Sequence, residues 1–87
     1  MYRILIGKKA GRFLSRLEAK SYNIISSAII KLADFRNAKN LDIQQLKGRY
    51  AGMWRLRVGS RRVLFTVEER IKEIKIWIIE DRGNVYK

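Results

Sequence analysis

The stretch Trp54-Arg55-Leu56-Arg57-Val58-Gly59-Ser60-Arg61-Arg62-Val63-Leu64-Phe65-Thr66-Val67 decides the reading of the fold. Trp54, Leu56 and Val58 alternate with Arg55 and Arg57, and Val63, Phe65 and Val67 alternate with Arg62, Leu64 and Thr66. Side chains two apart on a strand share a face, so this pattern predicts two half-buried strands joined through Gly59-Ser60 as a β-hairpin. A third run, Ile74, Ile76 and Ile78 alternating with Lys75, Trp77 and Ile79, follows the charged turn around Glu68 to Lys72 and extends the hairpin into an antiparallel meander.

Upstream, the period lengthens. Tyr2 to Ile6 is a short β-prone run ending at Gly7. From about Lys8 to Ala19, Ala10, Phe13, Leu14 and Leu17 recur at helical spacing. Ser21 is placed to cap a second helix running to about Asp34, with Ile25, Ile29 and Leu32 as its apolar stripe. Phe35 to Lys47 reads as a connecting loop with Leu41, Ile43 and Leu46 as anchors, and Gly48 and Gly52 bracket a turn. The expected fold is α+β: a short N-terminal strand, a helical hairpin, then an antiparallel meander in one small twisted sheet with helices on one face. Residues 1–87 form one expected domain, near the lower size limit for a self-sufficient core.

Composition restricts the function. Lys and Arg number 20 against 8 Asp and Glu, a formal charge of +12, while 47% of residues are hydrophobic. That much apolar surface is incompatible with a basic disordered tail, so the charge belongs to a folded body facing a polyanion, with nucleic acid the leading candidate. Cysteine and histidine are absent. Disulfides, thiolate nucleophiles, zinc sites and Ser-His-Asp chemistry are thereby excluded. The apolar run Ile4-Leu5-Ile6 is too short for a signal-peptide core or a membrane span, and the chain is expected to be cytoplasmic with no membrane partner.

Between Asp42 and Glu68 the sequence holds no acidic residue but includes Lys47, Arg49, Arg55, Arg57, Arg61 and Arg62. Alternation predicts that Arg55, Arg57 and Arg62 converge on one non-core patch, with Arg49 and Arg61 peripheral. Guanidinium forks bind phosphate bidentately and stay charged at any relevant pH. Arg82 and Tyr86 close the chain, and a tyrosine ring can stack on a base while its phenol exchanges a proton. Trp54 and Trp77 are expected to pack rather than to stack on bases.

The ordered set Leu46-Lys47-Gly48, Trp54-Arg55-Leu56-Arg57-Val58, Arg62-Val63-Leu64-Phe65 and Asp81-Arg82-Gly83-Asn84-Val85-Tyr86 resembles the RelE branch of the RelE/ParE toxin superfamily over essentially the whole chain. The resemblance implies the toxin of a toxin–antitoxin pair, an endoribonuclease that needs no metal or cofactor and cuts messenger RNA in the ribosomal A site. Its implied partners are a cognate antitoxin and the ribosome with its message. The 2′-hydroxyl would attack the adjacent phosphate. Carried over by position, Arg55, Arg57, Arg62, Arg82 and Tyr86 are the implied catalytic set, and Lys47 an RNA contact beside Arg49 and Arg61. Tyr86 would take the 2′-hydroxyl proton, Arg57 and Arg62 would stabilise the phosphorane, and Arg82 would assist the leaving oxygen. The pattern departs in two places: Arg55 and Arg57 stand where some relatives carry lysines, and the sequence ends at Lys87 without the C-terminal helix of some relatives. A ParE-type gyrase inhibitor and a non-catalytic RNA-binding module are the competing readings.

Overall fold

The computed structural model describes residues 1–81. Strand β1 (Arg3–Ile6) leads into helix α1 (Lys8–Ser15) and helix α2 (Ala19–Lys31), followed by a 3₁₀ helix over Leu32–Asn37. Strand β2 (Asp42–Gln45) and a 3₁₀ turn at Gly48–Tyr50 precede β3 (Trp54–Val58), β4 (Arg61–Glu68) and β5 (Glu73–Asp81). The sheet runs β1-β5-β4-β3-β2, with β1 parallel to β5 and every other pairing antiparallel. This is the α+β arrangement that the periodicities predict.

The hairpin forms as expected. Val58 pairs with Arg61 across a two-residue turn, and Gly59 takes φ +61°, which the first position of a type II′ turn demands and side-chain-bearing residues resist. The parallel β1–β5 pairing brings the chain at Gly7 so close that an added Cβ would lie 2.9 Å from the Ile76 carbonyl oxygen. Gly7 donates its N–H to that oxygen at 2.7 Å and starts α1 directly behind the sheet.

The core lies between the helices and one face of the sheet. Ala10, Ile25, Ile29 and Leu32 meet Leu56, Val63, Phe65, Ile74, Ile76 and Ile79, all buried. Phe35 is an aromatic hub, meeting the rings of Tyr2, Trp54 and Phe65 edge-on at centroid distances of 6.0, 5.1 and 6.0 Å. No described helix is long and apolar enough to cross a membrane.

Four boundaries differ from the sequence reading. The first helix stops at Ser15 instead of Ala19: Arg16 and Leu17 donate to Phe13 and Leu14, i to i−3 bonds that tighten and close the last turn. Glu18, in extended conformation, precedes α2, so Ser21 lies inside the helix and is not its cap. The expected Phe35–Lys47 loop contains both the end of a 3₁₀ helix and an edge strand, β2. Finally, β5 carries a bulge. Leu64 pairs with Ile78 but Phe65 pairs with Ile76, leaving Trp77 as the extra residue. The bulge reverses the alternation beyond it, so Ile79 enters the core, where the plain period-two pattern would place Ile78.

Candidate functional site

The outer face of the sheet, opposite the helices, carries the basic residues of β3 and β4. One row of directly opposed residues crosses four strands there: Asp42 on β2 faces Arg57 on β3, Arg57 faces Arg62 on β4, and Arg62 faces Glu80 on β5. The sign pattern is minus, plus, plus, minus. At about 4.8 Å per strand the row is roughly 14 Å long.

Two like charges directly opposite destabilise a sheet, and the flanking carboxylates offset that repulsion. Their grip is uneven. Arg62 donates to Glu80 Oε1 from Nε at 3.1 Å and again from its terminal nitrogen, and its side chain is 18% exposed. Arg57 reaches Asp42 only at 3.9 Å, too long for a hydrogen bond, and its side chain is 40% exposed.

Arg55 occupies the next row on the same face but presents a different surface. It is 7% exposed, and its terminal nitrogen donates to Gln44 Oε1 at 2.7 Å and to Asp42 Oδ1 at 3.4 Å. Its other terminal nitrogen is buried and makes no hydrogen bond among the described residues. The guanidinium fastens edge strand β2 to β3 and does not stand with Arg57 and Arg62 on the open surface.

The remaining candidates separate further. Arg61 alternates onto the helix side, 3.0 Å from Asp81 without hydrogen-bond alignment and 6.0 Å over the Phe13 ring. Lys47 and Arg49 are exposed at the β2–β3 connection, with the length of β2 between them and the Asp42–Arg57 pair. Arg82 and Tyr86 lie outside the described residues. The structure thus brings together Arg57 and Arg62 and holds Arg55 buried in the neighbouring row of the same face.

The acid-free window of the sequence is not acid-free in space, because Asp42, Glu80 and Asp81 come in from neighbouring strands. Asp42, Gln44 and Glu80 were missed as site residues. The signal for the first two was the alternation of Asp42 and Gln44 around Ile43, which marks a strand with a polar outer face. Glu80 depended on the bulge at Trp77, since an unbroken register would have put Ile79 opposite Arg62.

Farther along the same face an open groove of about 820 Å³ is lined by Lys8, Lys9, Met53, Thr66, Lys75, Trp77 and Ile78. The Trp77 indole donates to Thr66 Oγ1 at 2.8 Å, and Lys75 Nζ sits 4.0 Å from the ring centroid. Trp77 is 42% exposed, whereas Trp54 packs against Phe35 as expected.

No family model matches the chain, and no curated protein matches it. Solved structures do. A chain of the archaeal RelE–RelB complex from Pyrococcus horikoshii OT3 is 28% identical, with 94% of this chain and 96% of that one covered at a TM-score of 0.78. The toxin–antitoxin complex RelBE2 from Mycobacterium tuberculosis matches at 18% identity, 93% and 98% coverage and a TM-score of 0.80. The isolated RelE toxin of E. coli matches at 11% identity, 99% and 92% coverage and a TM-score of 0.74. With its parallel β1–β5 pairing, antiparallel meander and helices on one face, this chain has the RelE-type toxin fold.

Proposed function

We propose that the protein is the toxin of a toxin–antitoxin pair and acts as a metal-independent endoribonuclease on messenger RNA in the ribosomal A site. The observation that carries this reading is the directly opposed Arg57–Arg62 pair on the open face of a RelE-type sheet. Two guanidinium groups on adjacent strands match the oxygens of one phosphodiester, and in a phosphorane they meet the charge that builds on those oxygens.

The chemistry follows from the groups at hand. The 2′-oxygen forms a bond to phosphorus as the bond to the 5′-oxygen breaks, leaving a 2′,3′-cyclic phosphate and a 5′-hydroxyl. The proton leaves the 2′-hydroxyl for a base, and the departing oxygen takes another from water. Arginine transfers protons poorly, so Tyr86, as a phenolate, is the base in this proposal and Arg82 assists the leaving oxygen by charge. Arg57 and Arg62 stabilise charge. Arg55 supports them from the neighbouring row by fastening β2 to β3, and Lys47 and Arg49 contact RNA farther from the cut.

The proposed partners are a cognate antitoxin and the ribosome with its message, and the proposed location is the cytoplasm. An acidic or amphipathic antitoxin segment over the basic face would neutralise its charge and occlude the arginine pair. Primer extension on message in translating ribosomes, run beside a gyrase supercoiling assay, tests the proposal. Codon-phased cuts with cyclic-phosphate ends are expected. Inhibited supercoiling with intact message would instead assign a ParE-type activity, and salt-sensitive RNA binding without cut ends a non-catalytic module.

A further inference from the structure

The arginines that would grip phosphate are already engaged. Arg62 donates from two nitrogens to Glu80 Oε1, and Arg57 lies 3.9 Å from Asp42. A carboxylate and a phosphate oxygen compete for the same N–H fork. Glu80 is 31% exposed at its side chain and can swing into solvent without unfolding the sheet, while Asp42, 55% exposed, meets Arg57 through Oδ2 and can release it while keeping Arg55 on Oδ1. Arg62 is more enclosed, at 18%, and stays in place when its partner leaves.

We propose that Glu80, with Asp42 at the other end of the row, is an intramolecular competitor for the RNA phosphate, so that binding proceeds by exchange of carboxylate for phosphate at Arg62. This rests on the RNA reading above and adds to it a residue that sets affinity and selectivity. An anion that engages only one guanidinium gains little by displacing a carboxylate already bound there. A phosphodiester laid across Arg57 and Arg62 gains contacts with both, so the competitor filters weak anions more than it filters the substrate. Glu80 holds the tighter ion pair and should dominate, with Asp42 the lesser partner.

Glu80→Gln separates competition from positioning, because the amide oxygen can still accept from Arg62 while the charge is gone. Glu68 is the control. It lies on the same face of β4, six residues from Arg62 or about 20 Å along the strand, and Glu68→Gln changes the net charge equally. The probe is a fluorescently labelled, uncleavable 2′-O-methyl oligoribonucleotide, followed by anisotropy across a salt series. Glu80→Gln should bind about fivefold tighter than wild type at moderate salt, with a steeper salt dependence, while Glu68→Gln shifts affinity less than twofold by rough estimate. Asp42→Asn should fall between the two. Equal affinity of Glu80→Gln and wild type, or weaker binding by the variant, would overturn the exchange while leaving the RNA site intact. Binding unaffected by Arg57→Gln and Arg62→Gln would overturn the RNA site itself.

Discussion

Two charged clusters at different places in this molecule use similar side chains in different proportions. Around the β4–β5 turn a single carboxylate, Glu69, receives the Tyr2 hydroxyl at 2.6 Å, Arg36 at 2.5 Å and Lys72 at 3.5 Å, while Arg36 also donates to the Tyr2 oxygen at 3.3 Å. In the outer-face row, two guanidinium groups share one carboxylate each, and Arg57 makes no side-chain hydrogen bond among the described residues. The first cluster gathers Tyr2, Arg36 and Lys72 on one acceptor, at charged side chains that are 44–66% exposed. The second spreads its charges along the sheet and leaves most of its ten guanidinium N–H donors without an acceptor among the described residues. Donors gathered on one carboxylate tie distant segments together; unfilled N–H donors in a row on a sheet face suit an anionic ligand.

The sharpest break of that comparison is to remove the surplus. Arg57→Gln combined with Arg62→Gln should lower message cleavage by roughly 10²–10³-fold, the usual cost of losing oriented charge stabilisation. The melting profile should shift only modestly, because the exposed Arg57–Asp42 pair contributes at most about 1 kcal/mol and the more enclosed Arg62–Glu80 pair about 1–3 kcal/mol. Loss of folding instead of activity would place the row with the structural clusters.

Arg55 should behave in the reverse way. Its guanidinium is buried and holds Gln44 and Asp42, so Arg55→Ala should destabilise the protein by about 1–3 kcal/mol in chemical denaturation. At temperatures where the variant is folded, cleavage should fall far less than in the Arg57 and Arg62 double variant. Arg55→Lys should recover part of the stability, since it keeps the aliphatic stem but not the fork.

How much of this was legible in the sequence depended on how many apolar residues each element contributes. β3 and β4 have three alternating apolar residues apiece, and their register follows once Gly59 fixes the turn. β2 has four residues with one apolar position, Ile43, and its polar outer face is indistinguishable from a loop until β3 pairs with it. The bulge was illegible because Ile78 and Ile79 are equally apolar. Only packing decides which enters the core, and that choice delivers Glu80 to Arg62. Phe35 was read as loop because its three aromatic neighbours are distant in sequence.

The smallest predicted effect belongs to the Glu69 cluster. The Tyr2 hydrogen bond, helped by the charges of Arg36 and Lys72, holds the Glu69 carboxyl below the usual carboxylate range, against the opposing effect of burial. The same hydroxyl, with the charge of Glu69, raises Arg36. A depressed carboxylate adds stability above its unfolded-state pKa and loses that contribution as pH falls through its folded value. Tyr2→Phe should therefore melt slightly below wild type at neutral pH, the gap closing in strong acid, as followed by thermal melts over a pH series. A gap that widens on acidification would contradict the assignment.

The outer-face row is tested most directly by single-turnover cleavage of a defined message bound to ribosomes, comparing wild type with the Arg57→Gln, Arg62→Gln double variant at equal ribosome occupancy. The proposed function predicts codon-phased cuts by wild type and a cleavage rate lower by about two to three orders of magnitude in the folded double variant. Equal rates for the two proteins, or no cleavage by wild type on an intact message, would contradict it.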